Sequence, residues 1–233
     1  MKRIYVPTRS GSEWQPLLAK PQLQWKRGKS AMTTAASWED AQNAFPREIE
    51  TLLNSSHDDY LVQLQLLLAI PEWEVALEGG DTASHTDVLA IARNAEGLCV
   101  VAVEAKVDES FGPLLSEKRA EATSGQSTRI DFLQSLLGVA KFQDSIRYQL
   151  LHRTASALLT ARQFHARTAV MLVQAFGSRS EQRDDFDRFC TALGASQVVP
   201  DLLVVRAHTD PRLFVGWCNG DSRFLSVELP SAP

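Results

Sequence analysis

Two carboxylates and one lysine occupy matched positions in a predicted β-hairpin. Two apolar segments rich in β-branched residues flank residues 94–97, whose sequence Asn-Ala-Glu-Gly has turn chemistry. Pairing outward from this turn places Asp87 opposite Glu104, and Lys106 points to the same face as Glu104 because it is two residues further on. Carboxylates that face each other on neighbouring strands repel, so the pattern predicts a positive charge between them.

A divalent cation and the lysine would supply that charge. Carboxylate oxygens are the ligands that Mg²⁺ prefers, so Asp87 and Glu104 would suffice to hold Mg²⁺ or Mn²⁺, and the carbonyl of Ala105 could add a ligand. The metal would polarise a phosphoryl oxygen and lower the pKa of a bound water. Lys106 would hold or deprotonate that water and stabilise the developing negative charge. The pattern therefore favours a metal-dependent phosphodiesterase site.

The simpler alternative is an ion pair between Glu104 and Lys106 on an exposed edge strand. A Glu-x-Lys spacing arises often by chance. Two features favour the functional interpretation. The pair follows residues 100–103, which are apolar on both faces of the strand, where an exposed charge is not expected. The register opposite Asp87 is a second, independent requirement.

Composition indicates an ordinary globular protein with one core and some additions. The chain has 233 residues, of which 44% are hydrophobic and 22% charged. Its net charge of −4 argues against a protein that coats nucleic acid non-specifically. A local basic surface remains compatible with the sequence, since residues 141–167 contain five basic residues and one acidic residue. A solvated helix face would explain such a run equally well.

The sequence gives no sign of export or membrane insertion. The first residues carry positive charge but no apolar signal segment, and the most apolar stretch, residues 61–70, is too short to span a bilayer. The three cysteines are widely spaced and match no zinc or disulfide motif. We therefore expect a cytoplasmic protein without a membrane partner.

Helices and strands alternate around the hairpin. A capping-box variant at residues 37–40 predicts a helix that continues to Leu53, with a kink or a restart at Pro46. The leucines of residues 58–69 predict a second helix, ended by Pro71. The other predicted elements are a half-buried strand at 72–78, short helices near 114–121 and 129–137, a long helix at 142–164, a buried strand at 168–176, a helix at 181–193 and strands near 201–206, 212–218 and 223–228.

The motifs and the order of elements together resemble the PD-(D/E)xK nuclease superfamily, which has the restriction-endonuclease-like fold. Thr86-Asp87 stands where the superfamily has Pro-Asp, and Glu104-Ala105-Lys106 matches its second motif. The resemblance covers about residues 38–176. It implies an α/β fold in which a mixed β-sheet is flanked by helices, with an αβββαβ core.

The resemblance also implies an activity and its residues. The activity would be Mg²⁺-dependent cleavage of nucleic acid, with DNA preferred to RNA as the partner. Asp87 and Glu104 would be metal ligands, and Lys106 the catalytic lysine. We expect a single domain: residues 37–176 as the nuclease-like core, residues 1–36 (with a strand candidate at 4–6) as an N-terminal decoration without its own core, and residues 177–233 as a C-terminal helix and strands.

Members of this superfamily often add a glutamate from the first helix and a polar residue from the helix after the third strand. Glu48 is the first candidate, as a further metal ligand; a surface glutamate paired with Arg47 or solvent is the alternative. Gln149 and Arg153 are the second candidates because they are four residues apart and share a helix face. They could reach a phosphate or the attacking water, whereas ordinary exposed helix polarity is the alternative, more so for Arg153.

Three functions fit these observations. The first is an active Mg²⁺-dependent nuclease, which the intact Asp87, Glu104 and Lys106 favour. The second is a binding or regulatory protein that keeps the fold without turnover, which the acidic net charge favours. The third is a hydrolase of a smaller phosphodiester. A homodimer is compatible with each of them.

Overall fold

The centre of the protein is one mixed β-sheet, seen in a computed structural model that describes residues 8–177 and 180–232. Its seven strands are β1 (Gln65–Val75), β2 (Ser84–Asn94), β3 (Gly97–Lys106), β4 (Thr168–Ala175), β5 (Ser196–Val199), β6 (Leu202–Thr209) and β7 (Arg212–Asn219). Their order across the sheet is β1-β2-β3-β4-β7-β6-β5. Strand β4 is parallel to β3 and β7, and all the other pairs are antiparallel.

Helices cover both faces of this sheet, which confirms the predicted α/β class. They are α1 (Pro21–Gln24), α2 (Ser30–Ala41), α3 (Arg47–Ser55), α4 (Leu115–Ala120), α5 (Ser124–Leu136), α6 (Tyr148–Gln163) and α7 (Ser180–Ala192), with 3₁₀ helices at Ser12–Leu17 and Ser222–Ser226. Apolar residues of α5, α6 and α7 pack on one face of the sheet, and those of α2 and α3 pack on the other. No helix in the described part of the chain is both long enough and apolar enough to cross a membrane.

The hairpin of β2 and β3 has the register predicted from its turn. Asn94 pairs with Gly97, and the ladder continues one residue at a time to Val88 and Val103. Gly97 has a φ of +124°, a backbone conformation that L side chains rarely adopt, so the glycine is needed to close the turn. The turn residues therefore fix which side chains of β2 and β3 meet.

Alternation along β3 decides which helix layer each side chain meets. Val100 packs against the α6 layer and Val101 against the α2 and α3 layer. Glu104 and Lys106 continue the face of Val100, so both are directed toward α6. Because helices cover both faces, these two charged residues are buried.

The predicted helix at residues 58–69 is wrong. The chain forms a turn at residues 59–63 and then enters β1 at Gln65. Pro71, which was expected to end a helix, lies inside β1, where an edge strand tolerates a residue without an N–H group. A short run of leucines fits a helix and a strand about equally, so periodicity alone chose the wrong element.

Two predicted helix starts are also wrong. Helix α2 begins at Ser30 instead of residue 37, and Ser37 lies in its buried part. Helix α6 begins at Tyr148 instead of residue 142, because the segment before it is tied to α4 by a hydrogen bond from the amide of Leu115 to the carbonyl of Ile146. The predicted restart at Pro46 is confirmed, since α3 begins at the next residue.

The two ends of the chain pack onto the same sheet. Trp14 and Trp25 join the apolar cluster of α2 and α3, so this part of residues 1–36 uses the core of the sheet. The strand candidate at 4–6 lies outside the described residues. Near the other end, the strand expected at 223–228 is wrong, since Ser222–Ser226 is a 3₁₀ helix, and β5 was not predicted.

Candidate functional site

Asp87 and Glu104 lie where the ladder between β2 and β3 ends. The last backbone pair is Val88 with Val103, and the next residues along the two strands are Asp87 and Glu104. A carboxylate oxygen of Asp87 (Oδ2) accepts a hydrogen bond of 2.7 Å from the amide of Ala105. The side chain of Asp87 thus takes the place of a backbone acceptor and is held beside residues 104–106.

Glu104, Lys106 and Gln149 form a closed triangle of hydrogen bonds. The ammonium Nζ of Lys106 lies 2.6 Å from Glu104 Oε1 and 3.2 Å from Gln149 Oε1, and Gln149 Nε2 donates to the same Glu104 oxygen at 2.8 Å. Glu104 is 2% exposed and Lys106 is 5% exposed. An ion pair on an exposed edge strand is therefore the wrong interpretation, because the pair is buried on a central strand.

Arg153 completes the contacts of Glu104 from one turn further along α6. Its Nε donates to Glu104 Oε2, and its Nη1 donates to the hydroxyl of Ser84 at 3.0 Å. That hydroxyl lies 2.9 Å from Nδ1 of His152. Arg153 is 9% exposed, so the alternative of exposed helix polarity is wrong for this residue. The face shared with Gln149 was predictable, but its direction toward the sheet was not.

The two carboxylates have opposite pKa shifts. Burial opposes the charge of Glu104, but Arg153 and Lys106 outweigh it and lower the pKa of Glu104 to about 2. Burial and the negative charge of Glu104 raise the pKa of Asp87 to about 7, although Arg153 and Lys106 act in the opposite direction. Near neutral pH, Glu104 is charged and Asp87 takes up or releases a proton readily.

Sequence reasoning missed a third carboxylate, that of Glu72 on β1. Pro71 pairs with Val88 and Trp73 pairs with Thr86, so Glu72 lies next to Asp87 across the sheet. Glu72 has a φ of +50°, and the burial of its carboxyl together with the charge of Asp87 raises its pKa to about 9. In the half-buried strand predicted at 72–78, Glu72 falls on the opposite side from the apolar Trp73 and Val75, so the sequence predicts that it is exposed. The signal that could have found it is the register of β1 with β2, which requires the correct start of β1.

Glu48 does not join these residues. Its Oε1 accepts a hydrogen bond of 2.6 Å from Gln174 Nε2, and Gln174 pairs with Ala105 in the sheet. Side chains alternate along β4, so Gln174 is directed away from the face that carries Glu104. The prediction of Glu48 as a metal ligand therefore receives no support, because α3 packs on the other face of the sheet.

Comparison with known proteins gives a family but no activity. The model of one family, described as a domain of unknown function (DUF6946), matches residues 7–222. The chain belongs to this DUF6946 family. No curated protein and no solved structure matches the chain. The matched residues of the DUF6946 domain include the N-terminal helices, the whole sheet and the residues around Glu104.

The DUF6946 domain offers two carboxylates, Asp87 and Glu104, as oxygen ligands on one side of the sheet. Over residues 8–177 and 180–232, no group of three or more His, Cys, Asp and Glu side chains is arranged to hold a metal ion. The donor type fits Mg²⁺, which needs few protein ligands and keeps several waters. Both oxygens of Glu104 are already hydrogen-bonded, however, so a metal ion would share them with Arg153 or with Lys106 and Gln149.

Proposed function

We propose that this protein is a Mg²⁺- or Mn²⁺-dependent nuclease with a restriction-endonuclease-like fold. One observation carries the proposal: Asp87, Glu104, Lys106 and Gln149 converge at the end of β3, where the charged side chains of Glu104 and Lys106 are buried together with that of Arg153. Burying charge is costly, and groups with strongly shifted pKa values cluster at functional sites. The substrate would be nucleic acid, with DNA preferred to RNA.

The order of the elements supports the fold assignment. Helix α3 precedes three antiparallel strands, β1 to β3, and α6, which follows α4 and α5, leads into the parallel strand β4. This is the αβββαβ order on which the resemblance to PD-(D/E)xK nucleases rests. The additional strands β5 to β7 extend the sheet beyond β4.

Each residue has a role in this proposal. Asp87 and Glu104 would hold the metal ion, with the carbonyl of Ala105 as a further oxygen ligand. When bound, the metal ion supplies polarisation of the phosphoryl oxygen and a lower pKa for its water. Lys106 would hold the attacking water with its ammonium group and stabilise negative charge on the phosphoryl group. Gln149 fixes Lys106 and Glu104 relative to each other through its amide.

A second candidate function is nucleic-acid binding without turnover. The specific observation that favours it is the buried ion pair between Arg153 and Glu104 Oε2. Lys106 and Arg153 each pair with one oxygen of Glu104, and both also act on the carboxyl of Asp87, so the site already holds two positive charges for its two carboxylates without a divalent cation. In that case the site stabilises the fold, and the protein acts through binding alone.

A cleavage assay separates the two candidates. Plasmid, single-stranded DNA and RNA are incubated with the protein in Mg²⁺ or Mn²⁺, beside Lys106→Ala and a control variant of an exposed lysine, Lys26→Ala. A nuclease gives products with the wild type and with Lys26→Ala, and Lys106→Ala is slower by at least about 100-fold. Equal products from all three proteins contradict the nuclease. Binding of nucleic acid without products in either metal supports the second candidate.

A further inference from the structure

Two adjoining cavities open beside Lys106 and Gln149. The larger, of about 380 Å³, is lined by both of these residues. The smaller, of about 210 Å³, lies between the segment before β2 and helices α5 and α6. Lys118, Tyr148 and His152 line both cavities, so the two form one cleft that leads away from the site of Glu104. We call it the α4–α6 cleft.

Positive charge dominates this cleft. Lys118 and Arg129 are among its lining residues, as is Lys106, which is paired with Glu104, whereas no aspartate or glutamate of the described chain lines either cavity. This contrasts with the net charge of −4 of the whole protein. In the described part of the chain, Lys118 and Arg129 form no ion pair with a carboxylate, and Arg129 donates to the carbonyls of Leu77, Glu78 and Gly80. Cations without a carboxylate partner in a cleft indicate an anionic ligand.

The aromatic ring of Tyr148 lies beside Lys118 in this cleft. Lys118 Nζ is 5.7 Å from the ring centroid of Tyr148, and the ring of His152 is 5.1 Å from it. Burial and the nearby Arg153 lower the pKa of His152 to about 3, so this ring is uncharged and adds no positive charge to the cleft. Leu77 and Ile130 line the smaller cavity. The cleft thus offers stacking and apolar surface next to cationic groups, which is the combination that binds single-stranded nucleic acid.

The size of the cleft selects between single and double strands. Ligand pockets for small molecules measure roughly 300–1,000 Å³, and the two cavities together lie in that range. A nucleotide therefore fits, whereas a base pair that must remain stacked in a duplex does not enter a pocket of this size.

We propose that the α4–α6 cleft binds one unpaired nucleotide of a single-stranded nucleic acid, with a phosphate between Lys118 and Arg129 and the base against Tyr148. The proposal rests on the proposed function in one respect, because it takes the phosphodiester next to the bound nucleotide as the one that reaches Lys106 and is cleaved there. It names a single-stranded substrate for that site. Neither Lys118 nor Tyr148 was singled out by the sequence motifs.

Binding without turnover tests the proposal. The affinity for a fluorescent single-stranded oligonucleotide is measured by anisotropy in EDTA at several salt concentrations. Lys118→Ala weakens binding and reduces the slope of log K against log salt by about 0.7, the value for one phosphate contact with a single strand. Lys118→Arg keeps the slope, and Lys26→Ala, on the other side of the sheet, behaves as the wild type. Tyr148→Leu weakens binding about tenfold through lost stacking, whereas Tyr148→Phe does not.

The outcomes separate this proposal from the nuclease. The cleft assignment is overturned if Lys118→Ala and Lys26→Ala have the same slope of log K against log salt. It is also overturned if a duplex binds as tightly as the single strand. Both results hold against the cleft assignment even when the wild type cleaves DNA. A wild type that binds the oligonucleotide in EDTA with these variant effects but never cleaves it overturns the nuclease and leaves the cleft assignment standing. A wild type that does not bind the oligonucleotide overturns the cleft assignment. Thermal melting of each variant shows whether it is folded, and the Lys118→Arg rescue does not depend on removing a side chain.

Discussion

Arg153 on α6 and Glu104 on β3 form a buried ion pair in which the guanidinium Nε donates to Glu104 Oε2. The other oxygen of Glu104 is held by Lys106 at 2.6 Å. One carboxylate therefore has a separate positive partner on each of its oxygens. The negative charge that the hairpin concentrates is balanced from the helix as well as from the strand.

Removal of Arg153 tests how much of this balance stabilises the fold. Arg153→Met leaves Glu104 with Lys106 alone, so we expect the free energy of unfolding to fall by about 3–5 kcal/mol in urea titrations without metal. Mg²⁺ or Mn²⁺ restores part of the loss if it binds the native state, because a divalent cation replaces the missing charge. The exposed Arg162→Met on the same helix changes stability by less than about 0.5 kcal/mol. Equal stability of the two variants contradicts the role of Arg153.

Glu72 gives a dependence of stability on pH. Its pKa rises from the usual value of 4.5 to about 9 in the folded protein, so the folded state keeps a proton that the unfolded state has released. The stabilisation is complete below pH 4.5 and is lost as the pH rises through 9. We expect Glu72→Gln, which resembles the protonated acid, to gain stability relative to the wild type as the pH increases over this window.

Urea titrations at about pH 5, 7 and 9 measure this effect. Glu74→Gln is the matched control, because Glu74 lies two residues along β1 and is exposed. Its difference from the wild type should not change with pH in the same way. A Glu72→Gln difference that is constant from pH 5 to 9 is evidence against the raised pKa of Glu72.

Gly79 fixes the segment that borders the smaller cavity. A Cβ at this position would lie 2.4 Å from the amide nitrogen of Arg129 and 2.5 Å from the carbonyl oxygen of Gly125, and both are backbone atoms. Gly79→Ala must therefore displace α5, in addition to placing an L residue at a φ of +86°. Gly112→Ala is the control, because it has a φ of +66° but no heavy atom within 4 Å. We expect Gly79→Ala to lower the melting temperature well beyond Gly112→Ala; similar losses would mean that backbone strain alone accounts for the effect.

Metal binding discriminates between Glu48 and Asp87. Calorimetric titration with Mn²⁺ should show binding that Asp87→Asn abolishes, because this change removes a charged oxygen ligand beside Glu104. Glu48→Gln should leave the Mn²⁺ affinity unchanged, since Glu48 is hydrogen-bonded to Gln174 on the opposite face of the sheet. If the Mn²⁺ affinity falls as far in Glu48→Gln as in Asp87→Asn, Glu48 is a metal ligand after all.

Local patterns were sufficient for the strands that carry the motif. The turn at 94–97 and the alternation of the flanking strands gave the register down to Val88 and Val103, because side-chain direction repeats every two residues in a strand. The apolar run of β4 likewise gave a buried central strand. The same reasoning failed at residues 58–69, where the short run of leucines fits the period of a helix and that of a strand. An edge strand and a helix differ there mainly in which segments pack against them, and the local sequence does not show this.

The sequence by itself determined that Asp87, Glu104 and Lys106 meet, since two strands joined by a short turn have one favourable register. It also determined that Gln149 and Arg153 share a helix face. Only the tertiary structure decided that this face of α6 covers Glu104, that α3 lies across the sheet with Glu48, and that β1 brings Glu72 beside Asp87. The reason is physical: a helix or strand fixes the directions of its own side chains, but the burial of apolar surface against distant segments decides where each face is placed.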